Sequence, residues 1–197
     1  MAENTVKRFP IIGACGLDCG LCPRHHTDGV SRCPGCAAKG AGEWNCGALQ
    51  RCCVQEHRLE CCAQCPESDG CRALERVMEQ SIKGDSFISY LPVPANHQII
   101  RDLGIVEAAR RQDARVTFLE GLLNTHNDGR SKGFYCLAVQ LLPLAELQAA
   151  VNSLSADLDR VPDVKFRAAI LRQAFDELAS RKGLQLKLRR PKKEKGL

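Results

Sequence analysis

Apolar positions recur at helical spacing through most of the chain after residue 72, and at no sustained spacing before it. Leu74, Val77, Met78 and Ile82 fall on one face of a helix predicted over 73–83, which Gly84 ends. Pro92 and Pro94 predict an extended linker. A short helix is expected over 95–103 and a longer one over 105–124, with Val106, Ala109, Val116, Leu119, Leu122 and Leu123 as its apolar positions. Asn127-Asp128-Gly129 marks a turn. Residues 131–142 read as a strongly apolar helix carrying Phe134, Tyr135, Leu137, Ala138, Leu141 and Leu142. Pro143 opens the next helix, to about Leu158, as proline does in a first helical turn. Pro162 restarts one that runs to Gly183, with Phe166, Ala169, Ile170, Ala174, Phe175 and Leu178 inward. Leu184, Leu186 and Leu188 then alternate with Gln185, Lys187 and Arg189, which predicts a short C-terminal strand.

Residues 11–72 are dense in Cys, Gly and Pro, and such a segment cannot build a large apolar core. Bound ions would have to hold it together. The expected fold is therefore mainly α: a small irregular cysteine-rich metal-binding lobe (11–72) packed on an α-helical bundle (73–183), followed by a short strand and basic tail (184–197).

Composition narrows the function classes. Hydrophobic residues at 44 % and charged residues at 26 % are ordinary for a globular protein. No apolar run reaches the about 18 residues of a membrane span, and the start, with Glu3, Lys7 and Arg8, lacks the apolar core of a secretory signal. A cytoplasmic location is expected, with no membrane partner. The formal charge of +5 is unevenly placed. From Arg181 to Leu197 eight Lys or Arg face one acid, a balance of +7, so the remainder stands near −2. The run from Arg181 to Lys195 could touch nucleic acid, but no aromatic residue is interleaved to stack bases. A solvated end is preferred, and an unidentified protein partner is the expected one.

Of 13 cysteines, twelve lie between Cys15 and Cys71. In a reducing compartment such a cluster points to metal rather than to disulfides. Three groups are short-spaced: Cys15-x3-Cys19-x2-Cys22, Cys33-Pro34-Gly35-Cys36, and Cys62-x2-Cys65 followed by Cys71. Two residues between ligands let one tight turn aim both sulfurs at one ion, with backbone N–H groups donating to the sulfurs. Cys19, Cys22, Cys33 and Cys36 make one candidate four-thiolate site. A second is drawn from Cys53, Cys62, Cys65 and Cys71, with Cys46 as a rival ligand.

Zinc and a 4Fe–4S cluster both accept such sets. The Pro-Gly inside the second motif suits a zinc knuckle. The polar surroundings (Arg24, His25, His26, Arg32, Lys39, Arg51, Glu56, His57, Arg58, Glu60) also lean to zinc, because clusters are commonly shielded by apolar side chains. The Cys15-x3-Cys19-x2-Cys22 spacing is also that of radical S-adenosylmethionine enzymes. Leu21 stands where those enzymes place an aromatic residue, and no βα-barrel pattern follows. A thioredoxin-type redox motif would need a strand before it and a helix after it, which Gly13-Ala14 and Gly35 do not supply. With cysteines in surplus, His25, His26 and His57 are expected to be exposed or to support the ligands. The adjacent pairs Cys52-Cys53 and Cys61-Cys62 cannot both aim at one ion, so one thiol of each pair is expected to lie outside the site. No acid–base constellation points to an enzyme.

The opening Cys15-Gly16-Leu17-Asp18-Cys19-Gly20-Leu21-Cys22, with Cys33-Pro34-Gly35-Cys36, Cys62-x2-Cys65 and Cys71, resembles the cysteine-rich bacterial and archaeal family named domain of unknown function thirty-seven ninety-five. Asn127 to Lys132 and Phe134-Tyr135-Cys136 resemble a segment of its longer members. The resemblance covers about residues 11–75 and implies a metal-binding, zinc-binding protein. Cys52 and Cys61 are additions to that pattern. In the helical part, Asp128 and Ser131 are expected to cap the helix that follows, and Cys136 to be a buried small hydrophobe. Trp44, the only tryptophan, lies beside Cys46 and could shield a site.

Overall fold

The computed structural model describes residues 7–38 and 47–190. Trp44, Lys39 and Cys46 lie outside the described residues, as does the basic tail beyond Arg190. The chain is mainly helical, and its cysteine-rich N-terminal region packs on helices. Helix α1 (Gly47–Leu49) runs directly into a π-helical turn (Gln50–Glu56). Then come α2 (Arg72–Lys83), α3 (Val93–His126), α4 (Lys132–Leu141), α5 (Leu144–Arg160) and α6 (Val164–Arg181). Helix α3 breaks at Gly104, which takes φ 82 and ψ 163, so two helical stretches meet where two were expected. Pro94 is not in a linker: it sits in the first turn of α3, where the missing N–H has no helical partner to lose.

The backbone groups into two compact units. Residues 7–38, 47–113 and 188–190 lie in one, and Ala114–Lys187 form the other. The unit that carries the clustered cysteines thus includes α2 and the first half of α3. In it Ile12, Cys61, Ala63, Ile100 and Ala109 share a small core, edged by Phe9, Ile11, Ile105 and Ala108. In the second unit Phe134 stacks on Phe175 with ring centroids 6.4 Å apart, and Tyr135 meets Phe175 edge-on at 6.3 Å. The Arg172 guanidinium lies 4.0 Å over the Phe134 ring. Arg115 donates to the carbonyl of Leu142 (2.9 Å) and to that of Val139, satisfying acceptors at the end of α4. Asp128 accepts from the backbone N–H groups of Arg130 and Ser131 and so caps the entry to α4; these bonds hold its carboxyl below the usual range. Cys136 is buried here, as a small apolar side chain.

Several inward faces differ from expectation. On α6 the buried stripe is Ala168, Leu171, Phe175 and Leu178, while Phe166 is exposed. Two residues at helical spacing turn Phe166 to the far side of Ala168. Ala169, next to that stripe, is exposed as well. Ile82 of α2 and Val106 of α3 also face solvent.

No strand forms among the described residues. Leu184, Leu186 and Leu188 are half-buried while Gln185 and Lys187 are exposed, so the alternation of burial is present without a ladder. Helix α6 instead ends in a Schellman turn: Gly183 donates to the Ser180 carbonyl (3.0 Å) and Leu184 to that of Ala179 (2.9 Å). Farther on, Arg189 is not a solvated tail residue. Its guanidinium meets the Asp85 carboxylate at 2.6 Å and the Ser81 carbonyl at 3.0 Å. Its backbone N–H donates to Asp85 (2.8 Å), and its carbonyl accepts from the Asp85 N–H (2.9 Å). The Asp85 side chain is 1 % exposed. Burial pushes its carboxyl up, but the bonds from Arg189 and the Tyr90 N–H outweigh this and hold it below its usual value.

Arg189→Ala should therefore destabilise the fold by about 2–3 kcal/mol, since it strands a buried carboxylate while Arg189 itself is partly solvated. Arg189→Lys should recover part of the loss. Urea unfolding of the three proteins checks this; an Arg189→Ala protein as stable as the parent overturns the anchoring role. The sign with pH is fixed by the lowered carboxyl. The contribution is present above the unfolded value near 3.8 and lost as pH falls through the lower folded value.

Candidate metal centre

The motif spacings fold as tight turns. Cys19–Leu21 is a single 3-10 turn closed by the Cys22 N–H on the Cys19 carbonyl (3.2 Å). Cys62–Gln64 is another, closed by the Cys65 N–H on the Cys62 carbonyl (3.0 Å). The Cys33–Cys36 turn is held from outside: the Cys36 N–H donates to the Pro10 carbonyl (2.8 Å). Gly35 takes φ 109 there, and a Cβ on it would stand 2.6 Å from the Pro10 oxygen. The Pro-Gly pair therefore lets the turn lie against Pro10.

Ala14 joins two of these turns. Its N–H donates to Cys36 Sγ at 3.2 Å, and its carbonyl accepts from the Cys62 N–H at 2.8 Å. Buried Gln50 also points its amide at Cys36 Sγ, 3.8 Å away. Such N–H donors are what a thiolate ligand needs around it.

The thiols gather unevenly. Cys62 shares a side-chain hydrogen bond with Cys53, and this bond, burial, and the charges of Cys53 and Cys71 all push its pKa up. Cys52 is pushed up by desolvation, then by Glu56, Cys71, Cys62 and Cys65. Cys62 thus stands near Cys53 and Cys71, and Cys52 near Cys62, Cys65 and Cys71. Cys61, fully buried, is raised to about 11, chiefly by burial and further by Cys62 and Cys36, against the opposing Ala63 N–H and Lys7. Of the expected first set, Cys22 and Cys33 are within electrostatic reach of each other, while Cys36 lies toward Cys61. Cys15 is buried and Cys19 half-buried beside these turns. Cysteines gathered in this way are compatible with metal binding.

Several supporting residues carry no local sequence signal. His97, on α3, is buried and bonds through Nε2 to the Cys15 carbonyl (2.9 Å); burial lowers its pKa. Asn96 donates to the Gly16 carbonyl (3.0 Å) and to Asp18 (2.8 Å). Lys7 is buried, donates to the Ile12 carbonyl, and lies within electrostatic reach of Cys61 and Cys62. Glu60 accepts from the backbone N–H groups of Arg8 (2.7 Å) and Phe9 (2.9 Å). His25 bonds to the Cys33 carbonyl (2.9 Å) and His26 to that of Gly20 (2.8 Å), so both support the loops as expected. His57 differs. With Cys52 and Glu56 it forms a group whose ligand atoms all lie within 4.8 Å of one another, an arrangement compatible with metal binding.

Comparison with protein-family models, with characterised proteins and with solved structures finds no match to this chain.

The Gly16 contact yields a direct test. Gly16 has φ 85, and a Cβ there would stand 2.4 Å from His97 Cδ2. Gly16→Ala should destabilise the protein by about 2–3 kcal/mol through strain and displacement of His97. Adding His97→Ala should relieve only the displacement, leaving the backbone strain. Denaturant unfolding measures both, and a neutral Gly16→Ala would show that the loop does not need this close approach.

Proposed function

We propose that the cysteine-rich unit binds zinc in four-thiolate sites drawn from Cys15, Cys19, Cys22, Cys33, Cys36, Cys46, Cys53, Cys62, Cys65 and Cys71, and that the bound ions hold a surface for a protein partner. The observation that carries the reading is the gathering of thiols in one neighbourhood: Cys62 shares a hydrogen bond with Cys53 and stands near Cys71, and Cys52 stands near Cys62, Cys65 and Cys71. The backbone donor on Cys36 Sγ and the tight turns at Cys19–Leu21 and Cys62–Gln64 support it. The proposal extends to membership of the family that the opening motif resembles. Exposed Phe87 and Leu91, in the same unit, are candidates for the partner surface. Arg189 is engaged with Asp85 and Lys182 with Glu146, so these two basic residues support folding.

A 4Fe–4S centre for electron transfer or cluster carriage is the second reading, and one observation favours it. Ile12, Ala14, Leu17, Leu21, Leu49 and Val54, in the same cysteine-rich stretch, are buried, and Ile12 packs with Cys61; apolar side chains of this kind are the shielding that clusters use.

Metal analysis of protein purified without oxygen separates the two readings. Zinc in a colourless protein supports the first. A brown protein with iron, acid-labile sulfide and broad absorption supports the second, and a protein that never holds zinc or iron overturns both. Cys36→Ser should lower the metal content, whereas Cys136→Ser should leave it intact at a stability loss of about 1 kcal/mol. Equal metal loss in the two variants would contradict the division between the clustered cysteines and Cys136. Complete metal removal under reducing conditions should open residues 11–72 to protease while the helical circular dichroism largely survives. Unchanged protease resistance would contradict that dependence.

A further inference from the structure

The expected ligand set leaves out Cys52, Glu56 and His57, yet the backbone brings their donor atoms together. The cause is the π-helical turn over Gln50–Glu56. The His57 N–H donates to the Cys52 carbonyl at 3.0 Å, five residues back, so the wide turn returns His57 over Cys52. An α-helical turn would set these two side chains on different faces. The turn is then stopped at once. Arg58 takes φ 53, rare for a residue with a side chain, and the Leu59 N–H closes on the Cys53 carbonyl at 2.8 Å. Cys53 faces inward, hydrogen-bonded to the Leu59 carbonyl at 3.6 Å, and is buried, while Cys52 is half-buried and Glu56 and His57 are exposed. The adjacent cysteines are thus divided between the interior and the surface.

We propose that Cys52, Glu56 and His57 form a separate, open metal site at the edge of the thiolate cluster, for a zinc-type divalent ion that exchanges with solvent. A thiolate, an imidazole and a carboxylate together suit zinc or cobalt(II), and not calcium or magnesium, which take oxygen ligands. Three protein donors leave a fourth position for water or an incoming ligand, as closed four-thiolate sites do not. Solvent reaches Glu56 and His57 directly, so the ion is accessible to a competing chelator. Cys52 also lies within electrostatic reach of Cys62, Cys65 and Cys71, so the open site borders the thiolate cluster.

The test uses the full chain reconstituted with zinc and challenged with a chromogenic chelator of moderate affinity. The parent should release one equivalent rapidly and the rest slowly. Glu56→Gln and His57→Ala, both surface changes, should each weaken the rapid equivalent by about ten-fold or more, leaving the slow ones unchanged. Cys52→Ser should remove it. Reconstitution with cobalt(II) gives an independent readout: the fast-exchanging ion should show weaker thiolate charge-transfer absorption than the slow ions, and His57→Ala should alter only its spectrum. Rapid release indifferent to Glu56→Gln and His57→Ala overturns the proposal, as does a Cys52→Ser protein that loses slow ions only, since Cys52 would then belong to the cluster. The two readings fail separately. A parent with slow ions and no residue-dependent fast ion defeats the open site alone; a fast ion without slow ones upholds it and defeats the four-thiolate centre.

Discussion

The loop from Gly13 to Leu21 is folded by short turns of its own, with Gly13 donating to the Leu17 carbonyl (2.7 Å) and Leu21 to that of Asp18 (2.9 Å), and contacts from outside fix where those turns lie. Those contacts come from the first turns of α3, where Asn96 and His97 bond to the carbonyls of Gly16 and Cys15 and to the Asp18 carboxylate. Ile100, one turn later, packs with Ile12, Cys61 and Ala63. Arg101 adds bonds to Ser68 and Asp69 at 3.0 Å each. One helical face thus fixes the loops bearing Cys15, Cys62 and Cys71. This explains why the cysteine-rich segment shares a compact unit with the helix through Asp113. A segment of Cys, Gly and Pro buries too little apolar surface to order itself. It borrows order from a helix whose propensity and amphipathic face supply it.

What the sequence made legible follows the same physics. Helices α2 and α4 to α6 were readable because their inward residues repeat at helical spacing, and Gly84, Pro143 and Pro162 stand near their ends. The Cys-x-x-Cys spacings were readable because a tight turn is a local property. The rest depends on long-range or unusual contacts. Asp85 and Arg189 are 104 residues apart, and His97 lies 82 residues from Cys15. Neither residue type carries a local pattern that names its partner. Pro94 reads as a linker residue because proline breaks a helix everywhere but in its first turn, and nothing local marks Val93 as a helix start. The grouping of Cys52 with Glu56 and His57 was missed because helical and strand templates search periods of 3.6 and 2, whereas a π turn closes over five residues. Alternation of the leucines at 184, 186 and 188 correctly signalled alternating burial, but burial on one side does not require a neighbouring strand.

The electrostatics of the cysteine-rich unit vary with depth. Cys61 is fully enclosed and Cys36, Cys53 and Cys62 nearly so, and burial raises the Cys61 thiol to about 11. Buried Lys7 stands within reach of Cys61 and Cys62, and the Ala14 N–H is spent on Cys36, so positive and dipolar partners accompany the deepest sulfurs. Toward the surface Cys52 faces Glu56, which opposes a thiolate instead of favouring one. A carboxylate beside a thiol adds negative charge that serves no purpose in holding a bare sulfur. The same carboxylate becomes favourable once a divalent cation lies between them. The interior therefore carries its own partial compensation, while the edge has the charge balance of a cation-binding surface. An ion arriving from solvent would meet Glu56 and His57 first and the enclosed thiols last, a gradient that half-buried Cys52 and buried Cys53 span in two consecutive residues.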